Sequence, residues 1–217
     1  IGGANVDTPY VNVDKSGKVG IGTANPSAFL HVTGSEGSQY SGSFNNTSNQ
    51  GWGLFVKGGA DGDDYSLRVQ NKNAAELLAV KSDGNITQAA QPSFLARNAA
   101  SATFNSNADG LYPNANHNIG GHYNTANSTF TAPVSGSYFV AWSVKGYPEA
   151  SSSSVYCRVK LNGTSYGPAL EFKNSISSTH TVMSFVAYMG ANDTMKVSSC
   201  NNVKIDGADA FSMYLLG

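Results

Sequence analysis

Groups capable of acid–base or metal chemistry are few in this chain: four histidines and fourteen carboxylates among 217 residues. From residue 91 onward the carboxylates are Asp109, Glu149, Glu171, Asp193, Asp206 and Asp209, most of them among turn-forming residues. Glycosidic hydrolysis needs two carboxylates flanking the bond, and the spacing singles out no pair. Ser-His-Asp chemistry would draw on His117, His122 or His180. No nucleophile-elbow sequence accompanies them, and Gly120-Gly121 before His122 reads as a loop. His117 and His122 on a symmetry axis could hold a metal, but no Cys or nearby acid completes the set. Asp61-Gly62-Asp63-Asp64 has the start of a calcium loop without the rest of the ligand ladder, and a solvated hairpin tip accounts for it. The residues predict no catalytic set, no metal site and no cofactor; calcium is chemically possible but has no supporting motif.

Binding chemistry has better candidates. Aromatic rings beside Asn and Asp suit sugars, whose apolar faces stack and whose hydroxyls hydrogen-bond. Three loops carry that combination: Asn105 to Gly121 with Asp109, Tyr112 and His117; Tyr147-Pro148-Glu149 with Ser151 to Ser154; and Asn201 to Asp209 with Asp206 and Asp209. The competing reading is polar surface loops, with Tyr112 and Tyr123 in the core.

The elements that must position these residues are strands. Short alternating runs punctuated by Gly, Asn, Asp and Pro dominate, and helical spacing is nowhere sustained. Even Asn73 to Ala79 reads as a strand, because it flows into Val80 and the Ser82-Asp83-Gly84 turn. Residues 1–90 look repetitive: Val11 to Val19 and Leu78 to Ile86 both place a strand before a Gly turn, with Gly53 to Gly59 and Tyr65 to Gln70 as further short strands between. Such hairpins cannot bury a core alone; stacking, or winding with copies of themselves, is the usual remedy. Residues 91–217 have longer, more apolar strands. Ser137 to Val144, Thr181 to Met189 and the last strand are apolar on both alternating faces, whereas Val155 to Leu161 and Leu170 to Lys173 are apolar on one. A strand buried on both faces needs two coverings. Without helices, the second must be another subunit. The expected core and inter-subunit residues are Tyr138, Val140, Trp142, Val182, Phe185, Val186, Tyr188, Phe211, Met213, Tyr214 and Leu216.

Charge is sparse, 12% of residues with a net −1, which gives no footprint for nucleic acid. No apolar run has the length of a membrane span. The start, Ile1-Gly2-Gly3-Ala4, reads as a trimmed piece of something longer. Of the two cysteines, Cys157 falls on a buried face, and Cys200, counted through Met195 to Ser199, falls on a wet one. Opposite faces predict two unpaired thiols, unless a bulge shifts the count.

Gly17-Lys18-Val19-Gly20-Ile21-Gly22-Thr23-Ala24-Asn25-Pro26 followed by Leu30-His31-Val32 resembles an element common in trimeric bacteriophage tail fibres and found in some bacterial surface proteins. The spacing of Tyr112, Asn118, Tyr123, Phe130, Gly136, Tyr138, Val140 and Trp142, closed by Phe211-x-x-Tyr214-Leu215-Leu216, is similar to the complement-subcomponent-q globular domain, a relative of the tumour-necrosis-factor jelly roll. Tyr112, Val140 and Trp142 depart from the usual residues there but keep apolar bulk. The resemblances imply an all-β chain: a trimeric fibre shaft over 1–90 and a ten-stranded jelly-roll head over 91–217. They imply a non-enzymatic homotrimer on the virion, attaching it to a host surface receptor, most simply a glycan, and joined to other tail proteins through a region outside this sequence. Asp109, Tyr112, His117, Tyr147, Glu149, Asp206 and Asp209 would be its receptor contacts. A bacterial adhesin with the same head is the alternative, and a glycan depolymerase a more distant one.

Overall fold

The computed structural model describes residues 11–35, 37–98, 102–104, 112–148, 155–173, 177–197, 203–205, 207 and 209–217. Among them every regular element is a strand. Two compact units divide at Ile1–Lys57 and Gly58–Gly217.

The first unit holds β1 (Val11–Val13), β2 (Val19–Ile21) and β3 (Leu30–Val32). β1 and β2 form an antiparallel hairpin, while β2 runs parallel to β3. The hairpin turn is closed by Asp14, whose Oδ1 accepts from Ser16 N at 2.8 Å and Lys18 N at 2.9 Å. The glycines of the fibre-like element are needed within one chain. Gly22 has φ 73° and a Cβ there would strike the Thr33 carbonyl oxygen; such a position admits little but glycine. Gly53 to Gly59, expected as a strand, carries no ladder.

The second unit opens with a meander of β4 (Tyr65–Gln70), β5 (Glu76–Lys81) and β6 (Ile86–Thr87). Asn71 Oδ1 accepts from Asn73 N and Ala75 N, and Ala74 takes φ 61°. That turn breaks any helix through Asn73 to Ala79 and starts β5 at Glu76.

The remaining strands are β7 (Ser93–Arg97), β8 (Ala102–Phe104), β9 (Asn114–Ile119), β10 (Tyr123–Asn124), β11 (Thr129–Thr131), β12 (Gly136–Pro148), β13 (Val155–Leu161), β14 (Thr164–Phe172), β15 (Thr179–Met189), β16 (Thr194–Val197), β17 (Val203–Ile205) and β18 (Ala210–Leu215). One sheet runs β9-β7-β18-β12-β15 and the other β10-β11-β16-β13-β14. These ten make a jelly-roll sandwich; β17 and β8 extend the first sheet beside the end of β12. The strands apolar on both faces, β12, β15 and β18, lie together in the first sheet. The strands apolar on one face, β13 and β14, lie in the second.

Between the sheets the core is aromatic. Phe94 stacks on Tyr123 with centroids 4.2 Å apart and meets Phe130 at 5.3 Å and Phe211 at 5.2 Å. Asn118 explains its place in the signature: its Nδ2 donates to Tyr123 O at 2.9 Å and its Oδ1 accepts from Tyr123 N at 3.1 Å. Those two bonds close a loop in which Gly120 and Gly121 have φ 79° and 71°. Gly136 leaves room for the chain end, since a Cβ would lie 2.8 Å from Leu215 Cδ1. Cys157, fully buried, is disulfide-bonded, which corrects the expected free thiol. The alternation that set Cys200 on a wet face was counted through Ser198 and Ser199, which like Cys200 lie outside the described residues.

Candidate functional site

The feature that distinguishes the head is the outer face of its first sheet. Along β15, Val182, Val186 and Tyr188 are 68%, 56% and 67% exposed, while Met183, Ala187 and Met189 between them are buried. On the same outer side Tyr214 of β18 packs against Phe139 of β12 at 5.2 Å, and Leu95 of β7 flanks that row one step away, opposite Ser212. The result is a band of Val186, Tyr188, Phe139, Tyr214 and Leu95 across four strands. Beside it lies a shallower patch of Ala141, Ser143, Ser184, Ala210 and Ser212 with Val182. The second sheet is unlike this: the outward row of β13 is Tyr156, Arg158 and Lys160, which alternate with buried Cys157 and Val159.

The expected core and inter-subunit residues therefore separate into two groups. Tyr138, Val140, Trp142, Phe211 and Met213 are buried between the sheets. Val182, Val186, Tyr188, Tyr214 and Leu216 are exposed. Phe185 faces inward against the core; its ring covers the backbone of Gly167, where a Cβ would come within 2.7 Å of it. Phe139 and Leu95 belong to the outer band too, and the alternation of β12 and β7 was the signal for them.

Two expected receptor contacts are corrected. Tyr112 is fully buried: its hydroxyl oxygen accepts from Trp142 Nε1 at 2.7 Å, and its backbone O accepts from the Tyr123 hydroxyl at 2.9 Å. Asp209 is 2% exposed, and its Oδ1 accepts from Lys145 N at 2.8 Å. The cause is topological. β18 pairs β12 over residues 138–143 and β17 pairs it over 146–148, along the same edge. Lys145 falls in the gap between the two ladders, and the carboxylate supplies the acceptor that neither strand provides. His117 and Tyr147 lie on β9 and β12 rather than on loops. Asp109, Glu149 and Asp206 fall outside the described residues.

Ser93 Oγ lies 2.7 Å from His117 Nε2, and Ser143 Oγ 2.8 Å from His180 Nε2. A Ser–His pair needs an orienting acid to become nucleophilic, and among the described residues neither imidazole has a carboxylate partner. Asp193 accepts from Asn162 Nδ2 at 2.8 Å and Gly190 N at 2.7 Å; these bonds hold its carboxyl below the ordinary range. Among the described residues no three of His, Cys, Asp and Glu cluster as a metal site.

Burial shifts the core phenols. It pushes Tyr112 well above its ordinary value, aided by the charge of Asp209, and raises Tyr138 as well. Tyr123 is pushed up to about 12, again by burial. A raised phenol pKa means that the fold favours the neutral form. Its contribution is complete below the unfolded value near pH 10 and is lost as pH rises through about 12. Of the eleven tyrosines, Tyr112 and Tyr123 are expected to ionise late, giving a second step in an absorbance titration. A single titration of all eleven near pH 10 would contradict the burial argument.

No family model and no curated protein matches the chain. Among solved structures it is similar to the globular domain of a zebrafish complement 1qA protein, at TM-score 0.48 and 11% identity over 58% of this chain and 98% of that one. It is similar to the TNF Eiger of S. frugiperda at TM-score 0.45 and 7% identity, over 58% and 93%. Murine APRIL is similar at TM-score 0.47 and 9% identity, over 58% and 99%. The strand order and burial lead by themselves to one conclusion: this is an all-β chain whose C-terminal part is a two-sheet jelly roll with an apolar outer face.

Proposed function

We propose that the chain is the receptor-binding tip of a bacteriophage tail fibre, a non-enzymatic homotrimer on the virion that attaches it to a host surface glycan or protein. The observation that carries the reading is the outer band of Val186, Tyr188, Phe139, Tyr214 and Leu95. An apolar patch of this extent on one side of a sandwich marks an interaction site, and copies of the same chain are the partner always present. The Gly-rich element over residues 17–32 favours a fibre over a freely secreted adhesin. Three weak sites on one trimer gain avidity on a repetitive surface without a tight single site. With Tyr112 and Asp209 removed, the receptor contacts are Asp109, Glu149 and Asp206 together with His117 on β9 and Tyr147 on β12.

The test is direct. The purified assembly should bind host bacteria and, in excess, block infection, with a monomeric variant at least roughly tenfold weaker through lost avidity. Virions lacking residues 91–217 that still attached and infected would end the proposal.

A further inference from the structure

The outer face of the head's second sheet carries a row of polar and cationic side chains that crosses all of its strands. The register sets Asn124 of β10 opposite Thr129 of β11, and Thr129 opposite Lys196 of β16. Lys196 in turn lies opposite Lys160 of β13, and Lys160 opposite Ser165 of β14. Each of these alternates with an inward neighbour: Tyr123, Phe130, Met195 and Val159 are buried, and Tyr166 packs against the core. Successive side chains of a strand point to opposite faces, so the row lies outside. It reads amide, hydroxyl, ammonium, ammonium, hydroxyl over a span of about 19 Å. Arg158, exposed on the same face two residues from Lys160, donates through Nη1 to Gly167 O at 3.2 Å. The nearby carboxylates among the described residues stand off the row. Asp193 is held by Asn162 and Gly190, and Glu171 lies opposite Tyr156, 3.3 Å from its hydroxyl.

We propose that this row binds an acidic glycan, with a carboxylate or phosphate of the sugar chain seated between Lys160 and Lys196. The inference rests on the receptor-binding reading and names the class of receptor, at a surface apart from the contacts given above. Charge points to that occupant. Like charges directly opposed across a ladder destabilise it, and Lys160 and Lys196 are opposed in this way; an anion between the two ammoniums removes the repulsion. Lysine serves phosphate and carboxylate as a point charge, so two of them side by side suit one acid group. The rest of the row suits the rest of the chain. Ser165, Thr129 and Asn124 carry hydroxyl and amide groups that both donate and accept, as the hydroxyls of flanking sugars require. The second sheet also stays open when copies cover the outer face of the first, so each copy brings one row and the assembly gains avidity.

The test uses the full chain and three polymers: polygalacturonate for carboxylates, phosphomannan for phosphates, and neutral dextran as the blank. The parent should hold at least one acidic polymer at low salt and lose it as salt rises, because exposed charges are screened. The tighter of the two identifies the acid. Lys160→Gln with Lys196→Gln should weaken binding at least roughly tenfold. The acidic polymer should raise the thermal midpoint of the parent and not of this variant, a readout that a purely structural role would not give. Ser165→Asp, at an exposed position, keeps both lysines and should weaken binding too. Lys15→Gln with Lys72→Gln removes the same charge from exposed turns and should bind like the parent. The inference is overturned if neither acidic polymer is held in preference to dextran, or if the Lys160 and Lys196 variant and the Ser165 variant both bind like the parent. A parent that attaches to host bacteria yet holds neither acidic polymer sinks this inference alone. A parent that fails to attach to host bacteria removes the receptor reading with it.

Discussion

Replacing Trp142 by alanine is expected to lower the stability of the head by about 3–5 kcal/mol, the cost of deleting a buried indole. The side chain is 1% exposed and stands mid-strand on β12, opposite Met183 of β15 and Phe211 of β18. Its loss opens a cavity in the centre of the sandwich and leaves the Tyr112 hydroxyl without its donor. A domain of this size is typically stable by about 5–15 kcal/mol, so the variant sits near the edge of folding at ordinary temperature. Trp142→Phe keeps most of the volume but loses the hydrogen bond. It should fall between the two, about 1–3 kcal/mol below the parent. Calorimetry at one fixed protein concentration measures both, because assembly makes the midpoint concentration-dependent. A Trp142→Ala midpoint within roughly 3 °C of the parent would mean the core is not organised around this residue.

That core was legible before any coordinates because β12, β15 and β18 announce themselves by being apolar on both faces. An alternating pattern states only that a strand has one dry side. A pattern apolar on both sides states that the strand needs two coverings, and its strands gathered in one sheet. What the pattern cannot show is which polar side chain of a loop turns inward. Tyr112 and Asp209 sit among Asn, Gly and Asp and read as outward ligands. Their burial follows from partners remote in sequence: the Trp142 N–H needs an acceptor, and Lys145 N lies opposite a gap that exists only once β17 and β18 share an edge of β12. Gly53 to Gly59 failed in the opposite sense. Its alternation is that of a strand, but a ladder needs a neighbour, and alternation carries no information about one. Cys157 lies on the buried face its parity indicates, but parity within one strand carries no information about a disulfide partner elsewhere in the chain.

Placing two carboxylates on the outer face of the first sheet, as Val182→Asp with Val186→Asp, is expected to dissociate the proposed homotrimer while leaving each subunit folded. In a single chain these side chains are 68% and 56% exposed, so the charges remain hydrated and cost the subunit little. Their inward neighbours Met183, Phe185 and Ala187 are untouched, and the ladder from Gly136 to Gly146 with β15 is a backbone matter. In an assembly that buries this face the Val186→Asp charge has no cation beside it; His180 and Lys145 lie at the Val182 end of the row. Along the outer row of β15 the neighbours are Ser184, Tyr188 and His180, and across the register lie Ser143 and Phe139. An uncompensated buried charge costs about 3–5 kcal/mol, so the dissociation constant should rise at least roughly a hundredfold for the first charge. Tyr156→Asp supplies the contrast. Tyr156 is 58% exposed, comparable to Val186, but it belongs to the second sheet, whose outer row is already polar; assembly should be unaffected there. Sedimentation separates the cases, with unchanged circular dichroism showing that the subunit is intact. If the β15 variant and the Tyr156 variant assemble alike, the exposed band on the first sheet is not where the copies meet, and some other surface must hold them.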